Sequence, residues 1–526
     1  MSPQVRISES NPASALVVRI GGLLALLAAA APARAWNLER GDVGPAAMPA
    51  QIEPINAPFA MPELIRPVFA DKTLTLESPP RDGAIQPAID RLAAAGGGRV
   101  VVPPGEWTTG RLELRSGVEL HLEEDAVVRF SGQIEAYLPP VFTRCEGLEM
   151  MGLGGLVYAY DQERIGLTGK GTLVGPDEGP VREARKGLSD DIVDPDSPIE
   201  SRVFDGQEGR HYFRPYFICP VSCRDVLVEG VTLRNGPMWN LVPIYCDRVV
   251  IRGVTVDSLG VVNGDGVNVD SSRNVLIEYC STNTGDDCYA VKSGRNEDGM
   301  RVGRPAENVV VRNCFAEAGY GGFTTGSETA GGVRNVWVHD CLFDGVSYAA
   351  YFKTRRPRGG GGDNLLVERV RLRSKSHAVF FDMIGSPLYV GELGERLPKR
   401  AVNAATPHYR GVTLRDLVGE AGGEAVRIKG IPESPATEVV LERLDIASKG
   451  FMSLADVDGL IVRDSRFQPQ DPTLRLLDTR GVRIAASTID SPGGEALSVE
   501  RSGDACEPPQ IDGVSIERSS AQGVSE

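Results

Sequence analysis

The stretch Asn274-Val-Leu-Ile-Glu-Tyr-Cys280 decides the fold, because the chain repeats it with the same residue types in the same order. It returns as Asn308-Val-Val-Val-Arg-Asn-Cys314 and as Asn335-Val-Trp-Val-His-Asp-Cys341. Each copy has a V-x-V/I core typical of a β-strand, followed by a turn residue and another short strand. The final cysteines lie 34 and 27 residues apart, so the pattern recurs once per unit.

The same pattern continues on both sides of these three copies. Further units end at Val231, Val254, Val370, Leu417, Leu444, Ser465, Ser487 and Ser519. Along the whole series, successive ends are separated by 23, 26, 34, 27, 29, 47, 27, 21, 22 and 32 residues. A unit of 21–29 residues with occasional inserts is the signature of a solenoid, in which each unit stacks on the one before it.

The content of the units selects the kind of solenoid. They contain almost no helix-periodic sequence, they lack the LxxLxLxxN pattern of leucine-rich repeats, and they are shorter than a β-propeller blade. We therefore predict an all-β chain that forms a right-handed parallel β-helix, with rungs about 4.8 Å apart. Cys280, Cys314 and Cys341 share one position in the unit, which predicts an inward ladder of buried thiols. A disulfide between rungs is the alternative.

The first 35 residues read as an export signal. An apolar run occupies residues 20–31, and Ala33-Arg34-Ala35 offers a small-x-small cleavage site before Trp36. A membrane anchor is the alternative, but the run is short for a bilayer span. The sequence therefore predicts a periplasmic or secreted protein, without a membrane segment in the mature chain.

The rest of the chain divides into a lead-in and the coil. Residues 36–70 are rich in Pro and Ala and predict an extended lead-in, and residues 71–526 predict the β-helix. A helix starting near Asp82, which could cap its N-terminus, would cover the open end of the coil. Inserts at 176–212 and 385–407 interrupt the repeat, and long loops of this kind usually shape a binding face.

The charge and the cysteines exclude several functions. The net charge of −15 makes nucleic acid an unsuitable partner, because a phosphate backbone needs a basic face. An acidic polysaccharide remains compatible, since a local basic pocket can sit in an acidic surface. None of the nine cysteines follows zinc spacing with His, so no metal and no cofactor is predicted.

Three carboxylates carry the chemistry suggested by the repeat. Asp265 and Asp286 lie 21 residues apart, about one unit, so Asp265 should face Asp286 or Asp287 on the neighbouring rung. Like charges this close cannot all ionise cheaply, so one carboxyl should keep a proton near neutral pH. A protonated acid beside ionised carboxylates is suited to cleaving a glycosidic bond. A calcium site or a solvated turn is the alternative from the repeat alone.

These motifs resemble the polygalacturonase family of glycoside hydrolases, which are pectin-cleaving right-handed β-helices. The family's N-T-D and G-D-D motifs appear as Asn263-Gly264-Asp265 and Gly285-Asp286-Asp287, and the resemblance covers roughly residues 70–470. It implies that Asp286 is the general acid, that Asp265 and Asp287 position the attacking water, and that the reaction inverts the anomeric centre. Asn263 and Lys292 belong to the same motif stretches and are predicted to contact substrate.

Two motifs depart from the family. Its G-H-G appears as Gly319-Tyr320-Gly321, and its R-I-K appears as Tyr351-Phe352-Lys353. The family uses the lost His and Arg to support the acid and to grip the substrate carboxylate. Tyr320 and Tyr351 could stack on a sugar face instead, and Lys353 could pair with a uronate.

Further side chains are candidates to complete the substrate grip. Guanidinium groups suit carboxylates through bidentate hydrogen bonds, although a basic turn in solvent is an equal interpretation. The two histidines lie in or beside the inserts and could replace the missing family His. The candidates are Arg355, Arg356, Arg358, His211, His408 and Asp382. Glu328 is expected to be structural support near the site.

These observations predict an exported inverting glycoside hydrolase, exo-acting on a pectic or related uronic-acid-containing polysaccharide. Three alternatives remain. One is a rhamnogalacturonan or other uronide hydrolase of the same fold, and another is a calcium-dependent polysaccharide lyase. The third is a carbohydrate-binding β-helix with impaired catalysis.

Overall fold

The computed structural model describes residues 4–9, 16–19, 38–183, 192–492 and 494–519. Their strands form three stacks that wind into a right-handed parallel β-helix, as the repeat predicted. In the described ranges, no helix has the length and apolar character needed to cross a bilayer. The apolar run and the cleavage site of the predicted export signal lie outside the described residues.

The first stack contains the repeated V-x-V/I segments. Ile277, Val311 and Val338 stand in register on successive rungs and are buried, because alternate side chains of each strand point into the coil. Its separate strands are Thr73–Thr75, Gly98–Val102, Val118–Leu122, Glu163–Gly169, Arg224–Glu229, Asp247–Arg252, Arg273–Glu278, Ala306–Arg312, Ala436–Glu442, Val457–Arg463, Arg480–Ala485 and Gln510–Asp512.

The second and third stacks complete each turn. The second contains Gly105–Thr109, Ala126–Phe130, Thr172–Val174, Thr232–Arg234, Thr255–Ser258, Ser281–Thr284, Thr488–Pro492 and Ser515–Ser519. The third contains Leu112–Glu113, Gly155–Tyr160, Tyr216–Val221, Val267–Asp270, Tyr289–Lys292, Val379–Asp382 and Ser498–Ser502. Long strands bend through corners and join two or three stacks: Phe315–Thr325, Val333–Lys353, Gly361–Ser374, His408–Lys429, Asp445–Ala455 and Arg466–Leu477. At the late end, Gln4–Glu9 pairs with Ser498–Ser502 and with Leu16–Arg19.

The recurring Asn of the repeat forms a ladder at the corner before the first stack. The Nδ2 of Asn308 donates to the Oδ1 of Asn274 at 3.0 Å. In the same way Asn335 donates to Asn308 at 3.0 Å, and Asn364 donates to Asn335 at 2.7 Å. These residues adopt φ values of 53–56°, a left-handed conformation that Asn tolerates better than most residues. The corner therefore explains why the sequence repeats Asn at this position.

The cysteines of the repeat form the predicted inward ladder. Cys280, Cys314 and Cys341 are fully buried, and all nine cysteines are free thiols. Each of these three thiols donates to the carbonyl oxygen two residues earlier, at 3.2–3.4 Å. The ladder is therefore one of small buried side chains rather than of disulfides.

One outward position of the first stack carries charges whose sign alternates from rung to rung, with a histidine at one rung in the middle. Its described members, in rung order, are Glu229, Arg252, Glu278, Arg312, His339, Glu368, Arg415, Glu442 and Arg463. Glu278 accepts from Arg252 at 2.7 Å and from Arg312 at 2.7 and 2.9 Å. Stacking one rung on the next therefore turns a sequence periodicity into a column of ion pairs.

The lead-in lies along the outside of the first stack as an extended arm, with short 3₁₀ turns at Arg40–Asp42 and Pro45–Ala47. Its backbone carbonyls accept from side chains of the column: Arg252 donates to Pro49 and Arg312 to Glu53, each at 2.8 Å. Near the start of the arm, Arg371 donates to the carbonyl of Leu38 at 3.1 Å. The arm therefore ties distant rungs together.

The predicted capping helix is present as Ile85–Ala94 and buries Ile85, Ile89 and Leu92 over the end of the coil. The expected cap by Asp82 is wrong. Ala84 occupies the N-cap position, and the Asp82 carboxylate instead accepts from the Thr108 hydroxyl of the first rungs. The other helical segments are Ile134–Tyr137, Pro180–Glu183, Ile199–Ser201, Asn296–Val302, Pro387–Val390 and Gly391–Gly394.

A separate small sheet covers the outer face of the third stack at its early rungs. A hairpin of Val141–Cys145 and Leu148–Gly152 pairs with Val203–Phe204 and packs with residues 192–213 over an apolar patch. Arg202 and Asp298 tie this cover to helix Asn296–Val302 through a buried ion pair at 2.7 Å. We call this structure the hairpin wall.

Candidate active site

The three carboxylates meet at the entry to two neighbouring strands of the third stack. Asp265 precedes Val267–Asp270, while Asp286 and Asp287 precede Tyr289–Lys292, which pairs with it one rung later. One oxygen from each carboxylate lies within 4.8 Å of the others. Asp265 and Asp287 are buried, whereas Asp286 is partly exposed. The rung spacing therefore produces the cluster expected from the sequence.

Asp287 is held by donors on later rungs. Its Oδ1 accepts from the Thr324 hydroxyl at 3.0 Å and the Gly321 amide at 3.2 Å, and its Oδ2 accepts from Lys353 at 2.7 Å. A side chain at position 321 would collide with Thr324 and crowd this carboxylate. The second Gly of Gly319-Tyr320-Gly321 is thus required by close packing behind the carboxylate.

The surroundings of Lys353 favour its charged form. Burial alone would lower its pKa, but Asp287, Tyr351 and Asp286 outweigh burial and raise the pKa well above its usual value. The ammonium and the Asp287 carboxylate form a buried, charge-assisted pair. Both oxygens of the Asp287 carboxylate are therefore engaged by donors of the later rungs.

Asp265 and Asp286 have the opposite electrostatic environment. Burial and then the neighbouring Asp286 raise the pKa of Asp265 well above its usual value. Burial and then Asp287 raise the pKa of Asp286. The Oδ1 of Asp265 is buried and has no hydrogen-bond partner among the described residues. The raised pKa values allow one of these two carboxyls to hold the proton predicted from the sequence.

Lys292 forms the second positive group beside the carboxylates. Its Nζ lies 3.5 Å from Asp265 and 3.4 Å from Glu328, and 4.4 Å from the ring centre of Trp239. Burial favours the protonated form of Glu328, but Lys292 and then Arg358 dominate and lower its pKa. Glu328 therefore holds Lys292 and Arg358 in place through ion pairs, in agreement with its expected supporting role.

A metal ion would compete with these lysines. Carboxylate oxygens are suitable ligands for calcium, and the cluster has three of them. However, Lys353 and Lys292 lie 2.7 and 3.5 Å from two of the carboxylates. The described residues thus already balance most of the negative charge, which fits an acid catalyst better than a cation site.

Aromatic rings continue the site toward later rungs. Tyr320 is 42% exposed, and its ring centre lies 5.2 Å from Tyr348 and 5.9 Å from Tyr351. Tyr351 stacks on Phe380 at 5.2 Å with an interplanar angle of 2°. Tyr351 itself is buried, so Tyr320 offers the accessible ring and Tyr351 supports it.

A cleft of about 610 Å³ contains most of the predicted site residues. Besides the three catalytic candidates, it is lined by Asn263, Lys292, Tyr320, Tyr351, Lys353, Arg355, Arg358 and Asp382. Two of these also accept hydrogen bonds from the protein: Asn263 from the Arg214 guanidinium at 3.0 Å, and Asp382 from the backbone amide of Gly385 at 3.0 Å.

Three candidates are not brought to this cleft. Arg356 points elsewhere and forms a buried bidentate pair with Glu433. His408 binds Asp363 at 2.8 Å on the first stack, on another side of the coil. His211 lies beside the short bridge of Asp205 and Tyr212 and is exposed. Long-range pairs such as Arg356–Glu433 leave no pattern in the local sequence.

The sequence interpretation did not identify several other cleft residues. Glu146 comes from the tip of the hairpin wall, Trp239 from an earlier rung, and Arg295 from the start of helix Asn296–Val302. Arg295 and Glu146 form an ion pair at 3.3 Å. Their positions depend on loops rather than on the repeat, so rung spacing could not reveal them.

A parallel β-helix with a carboxylate cluster in a lateral cleft defines a polysaccharide-cleaving class of protein. Residues 207–465 match the family described as "Glycosyl hydrolases family 28". An exopolygalacturonase structure from Thermotoga maritima shares 31% identity and a TM-score of 0.68, over 77% of this chain and 93% of that one. The chain belongs to glycosyl hydrolases family 28 and is a glycosidase.

Two relatives extend this comparison. A "Probable polygalacturonase" of Vitis vinifera is 29% identical over 389 residues, covering 72% of this chain and 74% of the relative. An "Exo-poly-alpha-D-galacturonosidase" of Dickeya chrysanthemi is 24% identical over 317 residues, covering 55% of this chain and 52% of the relative.

Proposed function

We propose that this glycosidase removes terminal galacturonic acid from pectic chains. The observation that carries the proposal is the cluster of Asp265, Asp286 and Asp287, flanked by Lys292 and Lys353 in one cleft. The names of the Thermotoga maritima and Dickeya chrysanthemi relatives support the exo mode and the galacturonide substrate.

Asp286 is the general acid in this proposal. It is the only partly exposed carboxyl of the three, so it can approach the glycosidic oxygen, and its raised pKa helps it retain a proton. Proton transfer to that oxygen accompanies cleavage of its bond to the anomeric carbon. Asp265 and Asp287 orient a water, whose oxygen forms the new bond while a carboxylate takes its proton.

Inversion follows from the family resemblance and needs its own test. The nearest carboxylate oxygens lie within 4.8 Å of each other. Carboxyl groups of inverting sites are usually roughly 6.5–9.5 Å apart, which leaves room for the water. Proton NMR of the first product should show the anomer opposite to that of the substrate, and initial retention would reject inversion while leaving hydrolysis intact.

The shape of the cleft supports attack from a chain end. On the side of the earlier rungs, the cleft is lined by Glu146 of the hairpin wall and by Trp239. On the side of the later rungs, the small residues Gly385 and Ser386 line it and form a rim. A terminal sugar would rest against the wall, and the remaining chain would leave across the rim.

Positive side chains supply the preference for a uronate. We assign the substrate carboxylate to Lys353 and Arg355, which lie two residues apart on the same cleft wall. A guanidinium can bind a carboxylate through two parallel hydrogen bonds. The exposed ring of Tyr320 provides an apolar face for a neighbouring sugar.

The predicted export signal over residues 1–35 belongs to this proposal. Cleavage before Trp36 would release a mature chain that begins with the extended arm, in the periplasm or the medium, where pectic polymers can be reached. Mass spectrometry of the exported protein should show an N-terminus at or near Trp36, and an intact Met1 on the exported form would reject the cleavage.

Asp286→Asn tests the catalytic assignment. The variant should lose on the order of 10³-fold or more in kcat on oligogalacturonides, because it cannot supply the proton. Asp257→Asn removes an exposed carboxyl on the second stack and serves as the matched control. Unchanged turnover by Asp286→Asn would overturn the role of Asp286, and a ladder of internal fragments would overturn the exo mode.

A second candidate is hydrolysis of another uronide, such as a rhamnogalacturonan. Tyr320 and Tyr351 favour it, because they stand where the family has the His and Arg that serve its usual substrate. Parallel assays on defined pectic oligosaccharides distinguish the two substrates. A lyase would instead give an ultraviolet-absorbing unsaturated product and lose activity on chelation of calcium.

A further inference from the structure

A second groove lies on the same face of the third stack, beyond the cleft. It has a volume of about 410 Å³ and lies over the rungs that follow Asp382. Its lining includes Arg396, Arg427, Lys429, Arg475 and Arg501, against the single acidic side chain Glu500. This concentration of cations is unusual in a chain whose net charge is −15. We call it the basic groove.

The strand register forms the floor of the basic groove. Ser453 and Ala455 pair with Arg427 and Lys429 on one side, and with Arg475 and Leu477 on the other. The small side chains of Ser453 and Ala455 therefore lie between two rungs that carry long side chains. The flanking rungs are two steps apart, about 10 Å, which leaves a trough with a floor of small side chains and charged edges. The Ser453 hydroxyl on this floor donates to Glu424.

Two of the cations remain suited to bind an external anion. Arg396 is held by Asp456 at 2.7 Å, and Arg475 by Asp471 and Glu500 at 3.0 and 3.2 Å. Among the described residues, the ion-pair contact of Arg427 is a longer one, 3.7 Å from Glu424. Lys429 forms no ion pair within the described part of the chain, and its Nζ lies 5.6 Å from the ring centre of Phe380.

The basic groove is aligned with the catalytic cleft. Lys353 pairs in register with Asp382, and Asp382 pairs with Lys429. Lys429 is therefore two rungs, about 10 Å, from the rung of Lys353. Ile384 lines the groove and Gly385 lines the cleft, so the rim lies between the two spaces.

We propose that the basic groove binds the uronate chain that leaves the catalytic cleft across the rim. Arg427 and Lys429 pair with carboxylates, and the floor of Ser453 and Ala455 contacts sugar C–H faces. The ligand is a linear polyuronide longer than the part held in the cleft. This inference rests on the proposed function, since it assumes that the cleft takes a uronide end.

The main test compares long and short substrates with the intact protein. The double variant Arg427→Ala with Lys429→Ala should raise the KM for polygalacturonate on the order of tenfold more than the KM for digalacturonate, because two charge-assisted contacts are lost only with the longer chain. Lys375→Ala with Lys449→Ala removes two exposed charges elsewhere and is the matched control. An equal change in both KM values would overturn the proposal.

A second variant and a binding measurement complete the test. Ala455→Glu places a carboxylate on the floor and should weaken the binding of polygalacturonate more than the binding of digalacturonate. Thermal unfolding of the variant is compared with that of the unmodified protein. Calorimetry in the Asp286→Asn background should show polygalacturonate binding that weakens with salt and with the double variant, and no binding of a neutral glucan.

These measurements separate the two proposals. Unchanged binding of polygalacturonate by the double variant would overturn the basic groove, whatever the enzyme hydrolyses. Groove-dependent binding of polygalacturonate without its hydrolysis would support the groove and reject the proposed substrate of the cleft.

Discussion

Two groups of buried charges show how one coil produces either stability or chemistry. In the column of the first stack, Arg252, Glu278 and Arg312 occupy successive rungs with alternating sign, and Glu278 is paired on both sides. In the cleft, the neighbouring rungs bring together Asp265, Asp286 and Asp287, three groups of the same sign. The geometry of stacking is the same, and only the order of signs differs.

The two groups differ in whether the cost of burying the charges is compensated. Each carboxylate oxygen of Glu278 meets a guanidinium, so its burial is compensated by hydrogen bonds. Asp265 and Asp286 are desolvated by burial and each lies beside another carboxylate, so the site keeps raised pKa values that a structural column avoids. The removal of a carboxylate charge, at Asp265 or at Glu278, should therefore have opposite effects on stability in the two places.

Lys353→Met should have the largest effect. It leaves Asp287 buried without its ammonium, which is expected to lower the free energy of unfolding by about 3–5 kcal/mol. It should also lower kcat by roughly 10²-fold or more, because the charge beside the acid is lost. Chemical denaturation and steady-state kinetics measure the two effects. Lys375→Met is the exposed control, and equal stability of the two variants would contradict the role of the pair.

Glu278→Gln should be the next largest. Two buried guanidinium groups lose their common carboxylate, so the free energy of unfolding should fall by about 3 kcal/mol, with kcat of the folded fraction retained. Glu307→Gln removes a partly exposed partner of Arg334 and should cost less than about 1 kcal/mol. A small loss for Glu278→Gln would mean that the column contributes little to stability.

Asp265→Asn should act in the opposite direction and stabilise the fold by about 1 kcal/mol near neutral pH, while lowering activity. The pKa of Asp265 is raised in the folded state, so its contribution to stability is complete below the usual value near 3.8 and is lost as the pH rises toward the folded pKa. The gain from Asn should therefore grow with pH. Denaturation at several pH values checks this, and a variant less stable than Asp257→Asn would refute it.

Tyr320→Ala should have the smallest effect on stability, because the ring is 42% exposed. Its KM for oligogalacturonides should rise roughly three- to tenfold if the ring stacks on a sugar. Tyr160→Ala removes another exposed ring, outside the cleft, as the control. Matching KM values for the two variants would remove Tyr320 from the binding site.

The sequence was sufficient for the coil and for the carboxylate cluster, because both depend on a period. Asn274, Asn308 and Asn335 mark the corner that sets the rung, and one rung brings Asp265 to Asp286. The glycosidase class followed from the same residues.

The rest of the site depends on contacts that have no period. The Arg356–Glu433 pair joins residues 77 apart, and Glu146 reaches the cleft through a hairpin that the repeat does not contain. Side chains such as Arg355 and Arg356 are adjacent in sequence but point to different surroundings. A run of basic residues therefore indicated where cations occur, without indicating which of them face the substrate.

The extended arm has a consequence for the order in which the protein is made. Its first described contact joins Leu38 to Arg371, which the ribosome adds 333 residues later. At roughly 5–20 residues per second, the start of the arm waits about 15–70 s for the rung on which it docks. The start of the arm therefore cannot dock until the central rungs have been made.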